Sequence, residues 1–171
     1  GKGGTKAGEV GDGGERDGVR WQGRVLTLET AGRWGARLTA PAALVLEAAA
    51  RDGYSGRISL ILAVAADGRL LAVRVTAHKE TPGLGDYIDP KKDRNKTRPW
   101  ITQFNGLGFD SVPRDRWRVK KDGGRFDQMS GATISARAVT NASGRALAWA
   151  VENRDKLFAL PANGRYEEKK P

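Results

Sequence analysis

The chain contains two apolar runs on either side of a turn: Ile58-Ser-Leu-Ile-Leu-Ala-Val-Ala65, then Asp67-Gly68, then Leu70-Leu-Ala-Val-Arg-Val-Thr-Ala77. Each run has the length and the aliphatic content of a β-strand. An Asp-Gly dipeptide favours a tight turn, because glycine readily adopts the positive φ that such turns need. The pattern predicts a β-hairpin in which residues 58–65 form a buried strand and residues 70–77 return antiparallel to it.

The residues before this hairpin predict further extended structure. Apolar residues at positions 25, 26 and 28 suggest a short strand. The apolar run Ala42–Ala50 fits either a strand or a short helix, since its periodicity does not distinguish the two. Asp52-Gly53 is a further turn signal between that run and the hairpin.

The residues after the hairpin predict loops and one long helix. A proline and two glycines exclude a regular element over Thr81–Asp86. The segment Trp117–Lys120 has the pattern of a strand closed by a glycine-rich turn at 122–124. From Ile134 to about Leu157, apolar residues recur at three- and four-residue spacing, which is typical of a helix.

These elements together predict one α+β domain with mainly antiparallel strands and a long helix. The length of 171 residues fits a single domain. Residues 1–18 contain eight glycines and no strand or helix period, so we expect residues 1–20 to be a flexible Gly-rich tail or linker. Residues 21–160 would form the domain, and residues 161–171 a charged C-terminal tail.

The composition excludes several kinds of site. Cysteine is absent and there is one histidine, which rules out disulfides, iron–sulfur clusters, thiolate zinc sites and histidine-based metal clusters within one chain. Any redox capacity would therefore come from a bound cofactor. No apolar run is long enough for a transmembrane helix.

The charge is uneven along the chain. The net charge is +10, and residues 86–125 carry 11 basic against 6 acidic side chains. Such a stretch most often forms a solvated face, but it can also attract phosphates, acidic partners or lipid headgroups. With tryptophans able to stack on bases, it leaves open a basic module that binds nucleic acid or an anionic surface.

A first candidate site is Asp127-Gln-Met-Ser-Gly-Ala-Thr133, immediately before the predicted helix. The small residues Ser130, Gly131 and Ala132 would leave the Thr133 hydroxyl accessible. A helix N-terminus has unpaired N–H groups and favours a phosphate. The simpler interpretation is that Ser130 or Thr133 caps the helix, and the residues alone leave both open.

A second candidate site is His78-Lys-Glu-Thr-Pro-Gly-Leu-Gly-Asp86. Its glycines would let the backbone approach a flat ligand closely, while two polar side chains and one leucine could contact that ligand. An ordinary loop after a hairpin would have a similar composition. The residues concerned are Glu80, Thr81, Gly83, Leu84 and Gly85.

Taken together, the two segments point to a known family. Asp-x-x-Ser-Gly-Ala-Thr at 127–133 matches the flavinylation motif of covalent FMN-binding domains, and residues 78–86 resemble the corresponding loop in the G subunit (RnfG) of the Rnf electron-transport complex. The resemblance continues through Asp52-Gly-Tyr-Ser-Gly56, Trp100 and Trp117-Arg-Val-Lys-Lys-Asp-Gly-Gly124, and covers roughly residues 42–155. The C subunit of Na⁺-translocating NADH:quinone reductases is more distantly similar.

The resemblance implies a cofactor and its attachment point. In that family, FMN is joined through its phosphate to the last threonine of the motif, which is Thr133 here. A separate flavin transferase forms the phosphoester, taking FMN from FAD with Mg²⁺. The rest of the motif would position the attachment, and the loop Glu80–Gly85 would lie against the isoalloxazine ring. The positioning residues would be Asp127, Ser130, Gly131 and Ala132.

Other residues are weaker candidates. Lys120, Lys121 and Arg137 could contact the flavin phosphate, although solvated positions are as common for such side chains. Trp100 and Trp117 could flank the flavin, but core packing is the more usual role for tryptophan. We expect His78 to be a surface or loop residue, and Ser135 to be a neighbouring hydroxyl that is not modified.

The resemblance also implies a role and a location. The domain would carry electrons within a membrane complex and would not be catalytic alone. That complex exchanges electrons between ferredoxin and NAD, and the exchange is coupled to ion movement. The other Rnf subunits would be its partners. Since family members have an N-terminal membrane helix, we expect attachment to the inner (cytoplasmic) membrane through a segment absent from this chain. The flavin domain would face the extracytoplasmic, periplasmic side, and this chain would be a soluble fragment. No nucleic-acid partner is expected; the basic module and a regulatory FMN-binding domain are the alternatives.

Overall fold

The computed structural model describes residues 14–16, 19–27, 41–155 and 165–166, and the side chains of residues 43–155. Its regular elements are six strands and one long helix: β1 (Gly14–Arg16), β2 (Val19–Thr27), β3 (Pro41–Gly53), β4 (Gly56–Ala65), β5 (Leu70–Ala77), α1 (Thr133–Glu152) and β6 (Arg165–Tyr166). Short 3-10 helices form at Gly85–Ile88, Trp100–Phe104, Arg114–Arg116 and Lys120–Asp122. The predicted α+β class with mainly antiparallel strands is confirmed.

The sheet is antiparallel and ordered along the chain. Strands β1 to β5 lie side by side in sequence order, and β6 pairs with β2 at residues 23 and 24, beyond the part of β2 that pairs with β1. β4 and β5 form the predicted hairpin, with Leu62 opposite Val73 and the turn at 66–69 between them. β4 is buried on one face only, since every second side chain from Ile58 to Val64 is fully buried.

The ambiguous run Ala42–Ala50 is a strand. It lies within β3, which pairs with β2 on one side and β4 on the other. The turn that follows is at Tyr54 and Ser55, two residues beyond the predicted Asp52-Gly53 turn, because Gly53 is still paired with Gly56 across the hairpin.

Helix α1 packs across β3 and β4 and begins one residue before the predicted Ile134. Its buried face is built mostly of small residues, which lets the helix axis approach the sheet closely. Beside it, the rings of Phe104, Trp117 and Phe126 pack against one another at centroid distances of 4.7 to 6.3 Å. This aromatic cluster supports the loops that lead into α1. The predicted end at Leu157 lies outside the described residues.

Two local predictions are wrong. Trp117–Lys120 is not a strand: residues 117–119 connect two 3-10 helices, the second of which begins at Lys120, and Val119 makes only an isolated bridge with Phe126. Its hydrogen bonds go to residues a few positions away, such as Lys120 N–H to the Phe126 carbonyl at 2.7 Å, so the segment folds on itself and joins no sheet. The predicted loop Thr81–Asp86 is also only partly irregular, because a 3-10 helix begins at Gly85.

The predicted terminal tails lie mostly outside the described residues. The parts of residues 1–20 and 161–171 that the structure describes are β1, the start of β2, and β6. The division into a 1–20 tail, a 21–160 domain and a 161–171 tail therefore stays a prediction. No helix in the described part of the chain combines the length and the apolar character needed to cross a bilayer.

Candidate functional site

The two candidate segments meet at one cavity of about 310 Å³. The loop that follows β5 forms one wall, the start of α1 forms another, and the turn between β3 and β4 contributes a tyrosine. The lining residues are Tyr54, Thr81, Leu84, Gly85, Lys121, Gly131, Ala132, Thr133, Ile134 and Ser135. The fold thus joins two sequence segments that no local pattern connects.

The cavity wall exposes large apolar side chains. Tyr54 is 67% exposed, Leu84 56% and Ile134 42%, and among residues 43–155 only Leu71 and Met129 are comparable. A folded domain normally buries such groups, and an exposed apolar cluster at a concave site is typical of a ligand-binding surface. This wall suits a flat, largely apolar ligand.

The attachment candidate Thr133 is the first residue of α1. The residue before it, Ala132, occupies the N-cap position and has no side-chain oxygen, so neither Ser130 nor Thr133 caps the helix as the simpler interpretation expected. The Thr133 hydroxyl donates to the Met129 carbonyl at 3.5 Å, which is a weak bond. Uncapped N–H groups and a lightly held hydroxyl in the same cavity fit a phosphate ester at Thr133.

Two glycines shape this approach. Gly131 has φ +82, a left-handed conformation that a side chain would strain. At Gly85, an added Cβ would collide with the Ser135 hydroxyl and lie 3.3 Å from the Glu80 Cβ. Glycine at 85 therefore lets the loop lie directly against the first turn of α1.

Glu80 holds three parts of the site together. Its side chain is buried, and Oε1 accepts the Tyr54 N–H at 2.9 Å and the Ser135 hydroxyl at 2.5 Å. Oε2 accepts the Ser55 N–H at 2.9 Å. One carboxylate thus joins the β3–β4 turn, the loop after β5 and helix α1, and its oxygens are occupied by protein donors.

Tyr87 and Trp100 hold the backbone of the segment 127–132 through hydrogen bonds. The Tyr87 hydroxyl donates to the Ala132 carbonyl at 2.8 Å and accepts the Met129 N–H at 3.4 Å. Burial raises the pKa of Tyr87 to about 12, so the hydroxyl stays protonated and able to donate at neutral pH. The Trp100 indole donates to the Asp127 carbonyl at 2.7 Å. The segment 127–132 is therefore fixed at both ends.

Three cations were weaker candidates for phosphate contacts, and the structure separates them. Lys121 lines the cavity. Lys120 pairs with Asp127 at 2.7 Å. Arg137 donates twice to Asp122, at 2.6 and 2.9 Å, and this contact lowers the pKa of the Asp122 carboxyl and raises the pKa of Arg137. Of the three, Lys121 is the one placed to meet a bound anion.

Six of the ten candidate cofactor residues line the cavity, and four do not. The six are Thr81, Leu84, Gly85, Gly131, Ala132 and Thr133. Glu80 lies buried behind the wall, and Gly83 belongs to a neighbouring recess. Asp127 has a side chain that is 65% exposed, and Ser130 is exposed in the turn before α1.

The remaining aromatic and histidine candidates serve the fold. Trp100 and Trp117 are 6% and 1% exposed, so neither is available to stack on a base or flank a flavin. This removes the tryptophan contribution to the basic-module alternative within the described residues. His78 is half-buried, and its Nδ1 accepts the Glu80 N–H at 2.9 Å.

Sequence reasoning missed Tyr54 and Tyr87. Tyr54 lies in the matched segment Asp52–Gly56, and Tyr87 directly follows the segment 78–86. Neither carries a local pattern that marks a site. The one available signal for Tyr54 was an aromatic residue directly after the Asp52-Gly53 turn signal.

Comparison with known proteins agrees with this geometry. The chain is 50% identical over 117 residues (68% of this chain, 52% of the relative) to the G subunit of the ion-translocating oxidoreductase complex of Pseudomonas aeruginosa. It is 46% identical over 123 residues (72% and 56%) to that of Shewanella baltica and 48% identical over 124 residues (72% and 58%) to that of Escherichia coli O157:H7. The chain spans about half the length of these curated relatives. The model of the FMN-binding domain family matches residues 53–148, more than half of the chain, and the chain therefore belongs to that family.

Proposed function

We propose that this chain carries FMN covalently on Thr133 and serves as the electron-carrying domain of the G subunit in an Rnf-type ion-translocating ferredoxin:NAD oxidoreductase. One observation carries the proposal: the Thr133 hydroxyl, an uncapped helix N-terminus and an exposed apolar wall lie in the same cavity. A phosphate needs the first two, and an attached isoalloxazine ring needs the third.

The proposed attachment is a phosphoryl transfer from FAD to the Thr133 hydroxyl. Thr133 Oγ1 forms a bond to the FMN phosphorus of FAD, the pyrophosphate bond of FAD breaks, AMP leaves, and the hydroxyl proton is released. A flavin transferase with Mg²⁺ supplies the catalysis, and this chain supplies the acceptor. Ser135 is a poor acceptor, because the residue is 2% exposed and its hydroxyl already donates to Glu80.

The chain's own residues then have separate tasks. N–H groups at the start of α1 hold the phosphate, and the Lys121 ammonium favours negative charge in the cavity. Tyr54, Leu84 and Ile134 supply apolar contacts that keep water from a bound ring. Glu80 and Tyr87 position the walls without lining the cavity. When bound, FMN supplies the reversible electron transfer that the polypeptide lacks.

Variants at the two neighbouring hydroxyls test the attachment. The full chain is produced with a flavin transferase, denatured, and examined by gel fluorescence of the flavin. Wild type and Ser135→Ala are expected to retain fluorescence, and Thr133→Ala to lose it while keeping its circular dichroism spectrum. Covalent flavin on folded Thr133→Ala would refute the assignment.

The names of the relatives support a proposal about the complex and its membrane. The relatives are named as subunits of an ion-translocating complex, so we propose the other Rnf subunits as partners and association with the membrane. We further propose that the flavin domain lies on the periplasmic side. Replacing the matching domain of the Pseudomonas aeruginosa relative by residues 42–155 tests this. Membranes with the chimera are expected to retain ferredoxin-dependent NAD reduction, and the Thr133→Ala chimera to lose it.

A further inference from the structure

A second recess lies beside the proposed flavin cavity. It has a volume of about 380 Å³ and shares Leu84 with that cavity. Its lining combines the far side of the loop after β5 with the charged segment that follows: Gly83, Leu84, Asp86, Tyr87, Lys92, Asp93, Arg94, Asn95 and Met129. Of these residues, only Leu84 and Tyr87 have a role in the flavin site proposed above.

The rim of the recess is strongly basic. Lys92 and Arg94 line it, and they belong to a run of five exposed cations within eight positions: Lys91, Lys92, Arg94, Lys96 and Arg98. None of the five forms an ion pair with a carboxylate of the described residues, in contrast to Arg69, Lys120 and Arg137. The Lys96 Nζ donates to the Lys91 carbonyl at 2.8 Å, but no described carboxylate neutralises the charge of any of the five.

The carboxylates next to these cations accept hydrogen bonds from backbone N–H groups, and they are fewer than the cations. Asp93 is buried, where Oδ1 accepts the Asn95 N–H at 2.9 Å and Oδ2 the Trp100 N–H at 2.6 Å. Asp86 and Asp89 are half-buried, and they accept the Gly83 N–H at 3.1 Å and the Lys91 N–H at 2.9 Å. All three acids hold backbone N–H groups in place, and the five exposed cations leave an excess of positive charge over residues 86–98.

The centre of this surface is apolar. Leu84 is 56% exposed and Met129 41% exposed, and both line the recess. A small apolar centre inside a charged rim is typical of transient protein–protein contacts, in which the charge steers the encounter. A concave recess is better filled by a protruding side chain than by the flat surface of a bilayer, which favours a protein as the occupant.

We propose that the recess and its basic rim, residues 91–98 around Leu84 and Met129, form the docking surface for an acidic protein partner. Leu84 separates the partner from the proposed flavin cavity by one side chain, so docking there would bring an electron donor or acceptor close to the flavin. The partner's redox role rests on the proposed function; the docking itself does not require FMN.

Binding of the full, unloaded chain to protein probes tests the proposal. Oxidised flavodoxin serves as the acidic probe and cytochrome c as the basic one, with titration calorimetry at low and raised ionic strength. The variant Lys92→Glu/Arg94→Glu is compared with Arg74→Glu/Arg116→Glu. The second pair changes net charge equally at exposed arginines that line neither cavity.

We expect wild type to bind flavodoxin in a salt-sensitive manner and not to bind cytochrome c. Reversal of the rim charges should weaken flavodoxin binding by about tenfold or more, and the control pair by less than about threefold. Equal weakening by both pairs would show a net-charge effect and overturn the proposal. So would saturable binding to phosphatidylglycerol vesicles without binding to flavodoxin. Loss of FMN attachment with docking intact would instead count against the proposed function.

Discussion

Replacing Glu80 by glutamine should weaken the contact by which one carboxylate joins three parts of the site. The carboxylate accepts three hydrogen bonds, from Tyr54 N–H, Ser55 N–H and the Ser135 hydroxyl. An amide has one oxygen, so at least one acceptor is lost and an NH₂ group faces a donor. Hydrogen bonds to a charged group contribute about 1.5–3 kcal/mol each, and we expect Glu80→Gln to lower the free energy of unfolding by about 2–3 kcal/mol.

Urea unfolding at neutral pH measures this effect. Glu47→Gln is the matched control, because Glu47 is exposed on β3, and it should change the free energy of unfolding by less than about 0.5 kcal/mol. The double variant with Ser135→Ala should be less destabilised than the sum of the single variants by about 1 kcal/mol, since both remove the same bond. Equal midpoints for Glu80→Gln and Glu47→Gln would refute the three-way contact.

Three further outcomes are expected. Tyr87→Phe should cost about 1–2 kcal/mol at pH 7 by urea unfolding, since a buried hydroxyl bonded to the attachment motif is lost. The pKa of Tyr87 is raised to about 12 from an unfolded value near 10, so the hydroxyl stabilises the fold fully below pH 10. The difference in the free energy of unfolding between wild type and Tyr87→Phe should therefore shrink from pH 10 to 12. A constant difference would contradict the buried hydroxyl. Gly85→Ala should lower both stability and FMN loading, because its Cβ would meet the Ser135 hydroxyl; unchanged loading by mass spectrometry would contradict the close approach. Asp122→Asn should cost about 0.5 kcal/mol at pH 7, because its contact with Arg137 is partly exposed, and the cost should vanish as the pH falls below about 4.

Much of the sheet could be predicted because its signals are local. The hairpin of β4 and β5 follows from two aliphatic runs and an Asp-Gly turn, and α1 from its helical spacing. The run Ala42–Ala50 could not be assigned, because its strand form depends on pairing with partners on both sides. Trp117–Lys120 misled for a related reason: one-sided burial gives an alternating pattern even where the chain folds on itself.

The two sequence segments that form the site could be predicted, but the contacts between them could not. The sequence indicates Thr133 and the loop 80–85 through their resemblance to a family, and the structure brings most of them to one cavity. The sequence does not reveal that the Glu80 side chain accepts backbone N–H groups behind the cavity wall, or that the Tyr87 hydroxyl donates to the Ala132 carbonyl. Both are contacts between residues distant in sequence, and such pairings leave no periodic signal.

The central claim is that Thr133 is the attachment point of FMN. Intact-protein mass spectrometry of the full chain, produced with an active flavin transferase and followed by fragmentation of the peptide that spans residues 126–137, tests it most directly. We expect the mass of one FMN less one water, located on Thr133. An unmodified chain, with the transferase shown to modify another substrate, or an FMN located on Ser130 or Ser135, would contradict the account.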